Sequence, residues 1–247
     1  MAAETVIFGI NPLQHLLNNN PEKIIEIFIS TDKNDTRIQG LMTVANMHKI
    51  SVQRIDIKKL DKMLDNQNHQ GVMAKIVAPV NFTESDLAAL FNSTAKPLFL
   101  VLDGVQDPHN LGACLRTADA AGVTAVIVPK DNAVGITPIV RKVASGAADA
   151  IPLVKVSNLA RALRELQELG VWIVGTDSEG EQTLYDLDLT GAIAIVLGAE
   201  GEGMRQLTRK HCDYLVKLPM LGQVESLNVS VATGICLYEV LRQRLIS

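Results

Sequence analysis

From Leu98 to the C-terminus, short apolar runs alternate with helix-patterned segments, and each junction is a polar, Gly-containing turn. This pattern admits few folds. A continuous apolar run is a strand buried on both faces, and alternation with helices implies a mostly parallel sheet covered on both sides. Strands are predicted at 98–102, 124–128, 171–175, 193–197 and 214–218, with a short one at 153–156. Helices are predicted at 111–121, 138–148, 158–169, 203–211 and 227–244. Three of the turns are long enough to build a pocket together. They are Asp103 to Gly112, Leu197 to Met204, and Leu218 to Ser230. Open α/β sheets bind ligands at such turns, outside the carboxyl ends of the strands.

The N-terminal third reads as a separate small α/β domain, residues 1–78. It has strands at 24–29, 51–57 and 72–78 and a helix over 37–48. Residues 79–97 are polar and bounded by proline, which predicts a linker. Thr83 and Asp86 form a capping-box pattern, predicting a short helix from Glu84 to Phe91 within it. The last helix carries Val231, Ile235, Tyr238, Leu241 and Leu245 on one stripe, with Ser226 or Asn228 available to cap its start.

Composition and motifs exclude several classes. Hydrophobic content of 47% with 20% charged residues is that of a globular chain. No apolar run approaches the ~18 residues of a membrane span, and the N-terminus lacks the pattern of a signal peptide. Cys114, Cys212 and Cys236 are odd in number and widely spaced, which suits a reducing cytoplasm and small buried thiols. The histidines have no ligand spacing, so no metal is expected. Net charge is −4, which disfavours a generic nucleic-acid binder. The charge is uneven, however, at +1 over residues 1–80 and −4 over 98–247. Neither a G-x-G-x-x-G fingerprint nor a P-loop is present, and Glu200 and Glu202 in the Gly-rich loop would repel a pyrophosphate. That disfavours a nicotinamide dehydrogenase. An acidic Gly-rich loop suits a neutral or cationic ligand, without naming it.

Three segments carry a resemblance. Asn110-Leu111-Gly112-Ala113-Cys114-Leu115-Arg116-Thr117-Ala118 resembles motif 1 of the SpoU/TrmH-like RNA 2′-O-ribose methyltransferases, in the SPOUT superfamily. Ile195 to Gly203 resembles motif 2, and Leu218 to Ala232 resembles motif 3. They occur in family order. Phe8 to Leu13 and His69-Gln70-Gly71-Val72 are similar to the N-terminal substrate-binding domain of the members that methylate guanosine in bacterial 23S rRNA.

The resemblance implies a deep trefoil knot in the C-terminal methyltransferase domain, 98–247, and an L30e-like N-terminal domain that contacts RNA. It implies S-adenosyl-L-methionine as cofactor, bound bent in the knot loops, and a homodimer with the site beside its interface. It implies 23S rRNA as partner. A tRNA 2′-O-methyltransferase and a non-catalytic RNA-binding assembly factor are the alternatives.

The implied reaction is attack of a ribose 2′-OH on a sulfonium methyl. The hydroxyl is protonated near neutral pH, so it must be polarised and held in line. Arg116, a lone charge in an apolar helix, matches the family's catalytic arginine. A guanidinium stays protonated and carries no acceptor, so it is a poor base and a better phosphate anchor and alkoxide stabiliser. Asn110 orients Arg116 or the ribose, or caps its helix. Glu200 matches the motif 2 glutamate, which fixes Arg116, contacts RNA or favours the sulfonium; a first-turn acid is its structural alternative, and the better reading for Glu202. Ser226 and Asn228 match the motif 3 polar pair, with plain helix capping as the competitor. Gly198, Leu218 and Leu227 match positions whose backbone holds the cofactor. Thr176, after its strand, is a candidate for the same pocket.

Overall fold

The computed structural model describes residues 4–33, 35–65, 67–77, 82–199, 201 and 203–246. The chain divides into two compact units, Met1–Val80 and Asn81–Ser247.

The first unit contains β1 (Glu4–Phe8), α1 (Ile10–Asn19), β2 (Ile24–Ser30), α2 (Thr36–Met47), β3 (Ser51–Ile55), α3 (Ile57–Met63) and β4 (Val72–Val77). Its sheet runs β1-β4-β2-β3. The β2–β3 pair is parallel; β1 and β2 are antiparallel to β4. β1 and α1 stand ahead of the first predicted strand. Gly9 turns between them at φ 94°. Pro12 falls in the first turn of α1, where a missing N–H costs no helical bond. The strand predicted over 51–57 stops at Ile55, because Asp56 caps α3 by accepting the Lys58 N–H at 2.7 Å. Leu13, Leu17, Ile27, Ile29, Ile38 and Leu41 are fully buried in one cluster.

The second unit contains β5 (Phe82–Thr83), α4 (Leu87–Phe91), β6 (Leu98–Asp103), α5 (Pro108–Ala120), β7 (Ala125–Pro129), α6 (Pro138–Ala144), α7 (Ala147–Ala150), β8 (Leu153–Val156), α8 (Leu159–Glu168), β9 (Trp172–Thr176), β10 (Gln182–Thr183), β11 (Ile193–Gly198), α9 (Gln206–Lys210), β12 (Tyr214–Lys217) and α10 (Val229–Ile246). The sheet order is β10-β12-β9-β11-β6-β7-β8-β5, and its described pairings are all parallel. Alternate residues feed two cores, as period-2 side chains in a doubly covered sheet must. Leu98, Leu100, Leu102, Ile193, Ile195 and Leu197 enter one cluster. Phe99, Val101, Ala194 and Val196 enter the other.

Later strands are inserted among earlier ones. β11 lies between β6 and β9, and β12 lies between β9 and β10. The loops leaving the carboxyl ends of β6, β9, β11 and β12 therefore share one edge of the sheet.

Four differences from the sequence reading have physical causes. Residues 82–91 are not free linker: β5 pairs with β8, Leu87 is buried, and the Thr83 N–H bonds Asp86 in the expected capping box. The helix predicted over 138–148 is two helices, broken where Ser145 (φ 51°) and Gly146 (φ 99°) are left-handed. The helix predicted over 203–211 begins only at Gln206, because Ala199 and Gly203 pair across a tight antiparallel bridge. Finally, the stripe on α10 does not face the core. Val229, Thr233, Cys236, Leu237 and Val240 are buried instead, while Val231, Tyr238 and Leu245 are exposed.

Candidate active site

A cavity of about 1110 Å³ opens at the carboxyl edge of the parallel sheet. Its floor is the end of β11. One wall is formed by Ala199, Gly201, Gly203 and Met204, and another by Leu218 to Met220 with Glu225 to Leu227.

Gly198 sets how closely these parts meet. A Cβ there would lie 2.0 Å from the Gly203 carbonyl carbon and 2.2 Å from the Met204 nitrogen. The turn folds back because Ala199 and Gly203 exchange backbone hydrogen bonds of 3.1 and 2.9 Å, and Gly201 and Gly203 supply φ of 81° and 67°. Across the cavity, no backbone N–H or C=O from Pro219 to Leu227 bonds another backbone group among the described residues. Of this stretch, Pro219, Met220 and Glu225 to Leu227 line the cavity.

Thr176, Gly198, Leu218, Ser226 and Leu227 all line this cavity. Leu218 and Leu227 are half-buried wall residues, and the Thr176 hydroxyl donates to the Val196 carbonyl at 3.3 Å. Glu200 and Glu202 lie outside the described residues.

Asn110 and Asn228 are not among the lining residues, but they meet each other. The Asn228 amide donates to Asn110 Oδ1 at 2.9 Å, joining motif 1 to motif 3. Of the three residues offered as caps, Asn110, Ser226 and Asn228, only Asn228 is one. Asp107 caps α5, accepting the His109 and Asn110 N–H groups at 3.1 and 3.3 Å, so Asn110 is not the cap. Asn228 caps α10, its Oδ1 accepting the Ser230 N–H at 2.9 Å, so Ser226 is not the cap. Asn228 thus caps and cross-links at once. Asn228→Asp retains a good cap but cannot donate to Asn110. A double-mutant cycle with Asn110→Ala, read by urea unfolding, is expected to give a coupling of ~0.5–1.5 kcal/mol. Additive effects would mean the link carries no energy.

Arg116 is exposed on α5 and does not line the cavity. It forms no hydrogen bond or ion pair with a described residue. Its helix packs on α10 through Cys114, whose thiol lies 3.4 Å from the Thr233 hydroxyl.

One rim feature was not anticipated. Arg209 pairs with Asp177 and Glu179, each at 3.0 Å, and all three line the cavity. Asp177 and Glu179 share the loop after β9 while Arg209 lies on α9, so only the tertiary fold reveals the cluster. Two thiols are poor nucleophiles: burial pushes Cys236 up to about 12, and burial with nearby Asp213, Asp103 and Asp177 does the same for Cys212.

The segments resembling motifs 2 and 3 thus line one cavity at the carboxyl edge of a parallel sheet, and Asn110 of the motif 1 segment is bonded to Asn228 of the motif 3 segment. The profile of the SpoU rRNA Methylase family matches residues 97–238. That of the RNA 2′-O ribose methyltransferase substrate-binding domain matches residues 6–81. The chain belongs to the SpoU rRNA methylase family. It is 54% identical over 240 residues to the 23S rRNA (guanosine-2′-O-)-methyltransferase RlmB of Pasteurella multocida, covering 97% of this chain and 98% of that one. Identity to the protein of the same name from Haemophilus influenzae is 52%, with the same coverage. Among solved structures, the SpoU methyltransferase AviRb from Streptomyces viridochromogenes, in complex with AdoMet, superposes with a TM-score of 0.70 at 23% identity, covering 99% and 92% of the two chains. At that identity the likeness speaks for the fold.

Proposed function

We propose that this protein transfers the methyl group of S-adenosyl-L-methionine to the 2′-OH of a guanosine ribose in 23S rRNA. What carries the reading is motif loops converging on one cavity, in a chain more than half identical, nearly end to end, to an enzyme named for that reaction.

The residues present fit the cofactor. The volume is ample for a small-molecule site. Leu197, Leu218 and Leu227 offer apolar walls, and the backbone of Pro219, Met220 and Glu225 to Leu227 offers donors and acceptors for an adenine edge and ribose. Asp177, Glu179 and Glu225 outnumber Arg209 and Lys217 in the lining, which leaves it net acidic and suited to a cation. When bound, the cofactor supplies an electrophilic methyl on a sulfonium. Gly198, Leu218, Leu227 and Thr176 would hold it. Arg116 is assigned to the RNA phosphate and to the negative charge that grows on the 2′ oxygen, where a guanidinium, a donor only, acts as a stabiliser rather than a base. Asn110 and Asn228 fix the spacing of α5 and α10, and Ser226 faces the reacting nucleotide. Glu200 joins this set on its motif position alone.

Finer features belong to the same proposal. Residues 1–78 form an L30e-like domain that binds the RNA substrate, and 98–247 the methyltransferase domain, to which 82–97 contributes its edge. The insertion of β11 between earlier strands is what a deep trefoil knot built from the motif 2 and motif 3 segments requires. The enzyme works in the cytoplasm, consistent with its ribosomal substrate and with cysteines that form no disulfide. It acts as a homodimer through the outer face of α10, where Val231 and Tyr238 are each 51% exposed and Leu245 is 75% exposed. Tyr238→Glu is expected to convert a dimer to a monomer in sedimentation velocity; a monomeric parent chain would remove this part of the proposal.

The test is methyl transfer from labelled S-adenosylmethionine to unmethylated 23S rRNA, with bulk tRNA in parallel. A ribose methyl on 23S rRNA is expected. Label on tRNA alone would overturn the substrate, and RNA binding without transfer would favour an assembly factor.

A further inference from the structure

Beneath the motif 2 turn lies a carboxylate that the reaction as described does not use. Asp103 ends β6 in the middle of the sheet and is 1% exposed. Its Oδ2 accepts the backbone N–H of Arg205 at 2.9 Å. Its Oδ1 has no hydrogen-bond partner among the described residues; the Arg205 Nε stands 3.6 Å away, beyond hydrogen-bonding reach. Burying an ionised carboxylate is costly unless both oxygens are satisfied, so this arrangement is poorly suited to stability alone.

The other half of the pair is equally unusual. The Arg205 side chain is 47% exposed, and none of its guanidinium N–H groups bonds a described residue. It is held by a charge on one side while its donors remain uncommitted. A Cβ on Gly104 would lie 3.8 Å from Arg205 Nη2, 3.9 Å from the Asn132 carbonyl oxygen and 3.7 Å from Ala199 Cβ. The guanidinium therefore sits where the loops after β6, β7 and β11 meet. A second depression of about 300 Å³ opens at the first two of these loops, lined by Gln106, Asn132, Ala133 and Val134. Met204 and Gln206 line the large cavity, but Arg205 does not.

We propose that Arg205, held by the buried carboxylate of Asp103, binds a phosphate of the RNA acceptor strand beside the motif 1 loop. The proposal rests on the methyltransferase reading of the neighbouring cavity. Arg205 is a positioning residue: it holds the strand and does not touch the reacting atoms. A guanidinium with free fork donors matches a phosphate oxygen pair. Asp103 fixes the backbone with one oxygen and draws the guanidinium with the other, consuming no side-chain donor. The carboxylate of an amino-acid cofactor has similar chemistry, but it belongs to the cavity that Arg205 does not line.

The experiment uses the full chain with Arg205→Ala, Arg205→Lys and Asp103→Asn, and a fragment of unmethylated 23S rRNA. Arg205 is exposed, so its variants should fold. Arg205→Ala is expected to weaken RNA binding about tenfold at ~0.1 M salt and to reduce the slope of log affinity against log salt by about 1. The KM for RNA should rise by the same factor, kcat should change far less, and the Kd for S-adenosylmethionine should stay within about twofold. Arg205→Lys should recover part of the loss, and Asp103→Asn should give an intermediate one. Unchanged RNA affinity and salt slope in Arg205→Ala would overturn the proposal. So would a weakened cofactor Kd with normal RNA binding, which would assign Arg205 to the cofactor. If the parent chain binds RNA but transfers no methyl group, the methyltransferase reading fails, and the binding arm still decides the role of Arg205.

Discussion

Gly198→Ala is expected to lower affinity for S-adenosylmethionine by about a hundredfold or more, equivalent to ~2.7 kcal/mol, and to lower thermal stability as well. The cause is space, not backbone conformation. The added methyl would sit 2.0 Å from the Gly203 carbonyl carbon, 2.2 Å from the Met204 nitrogen and 2.4 Å from the Gly203 oxygen. All are backbone atoms, so no rotamer change relieves the clash. The two hydrogen bonds between Ala199 and Gly203 hold that backbone against β11. Overpacking of this kind costs ~1–3 kcal/mol in stability. The turn can relieve it only by lifting, which moves Ala199, Gly203 and Met204, three residues of the cavity wall. Calorimetric titration with the cofactor, alongside a thermal melt, reads both effects. An unchanged Kd would mean that the turn does not form the binding site.

Arg116→Ala is expected to do the opposite: to cut methyl transfer by about a thousandfold while leaving the cofactor Kd near that of the parent. Losing one preorganised donor to a developing oxyanion costs ~10²–10³ in rate, and loss of a phosphate anchor adds to it. Arg116 lies outside the cavity wall and is exposed, so the substitution disturbs neither the fold nor the cofactor site. Single-turnover transfer to 23S rRNA, with the cofactor titration as control, separates chemistry from binding. Full activity in Arg116→Ala would remove this residue from the mechanism.

The parallel sheet was legible because its strands are apolar on both faces. The run Leu98 to Leu102 and the run Ile193 to Leu197 admit no other reading, and each observed strand extends them by one residue. Strand order was not legible. Nothing in the composition of β11 says that it enters between β6 and β9. The stripe on α10 illustrates a second limit. Periodicity identifies an apolar face but not what covers it, and here the stripe from Val231 to Leu245 points away from the core of its own chain. The break between α6 and α7 escaped detection because Ser145, a non-glycine residue, takes the left-handed conformation ahead of Gly146. β5 and β10, of two residues each, are too short for any periodic signal.

For the site, the resemblance supplied the motifs, and the tertiary fold supplied what motif spacing cannot. Sequence left open whether Asn110 and Asn228 cap helices or position the ribose, the nucleotide or the cofactor, and did not foresee that they bond each other. Asp107 takes the first cap, and Asn228 both caps α10 and bonds Asn110. The Asp177–Glu179–Arg209 rim and the Asp103–Arg205 pair join residues distant in sequence. Each half alone reads as an ordinary surface or strand-end charge.

The most direct measurement is a crystal structure of the full chain with S-adenosylmethionine bound. The account predicts cofactor density in the cavity between Gly198 and Leu227, with the adenine against Leu197, Leu218 and Leu227 and the reactive methyl turned toward the Asn110–Asn228 end. Cofactor bound elsewhere, or an adenine seated away from the Leu218 to Leu227 segment, would contradict the assignment of this cavity as the methyl-donor site.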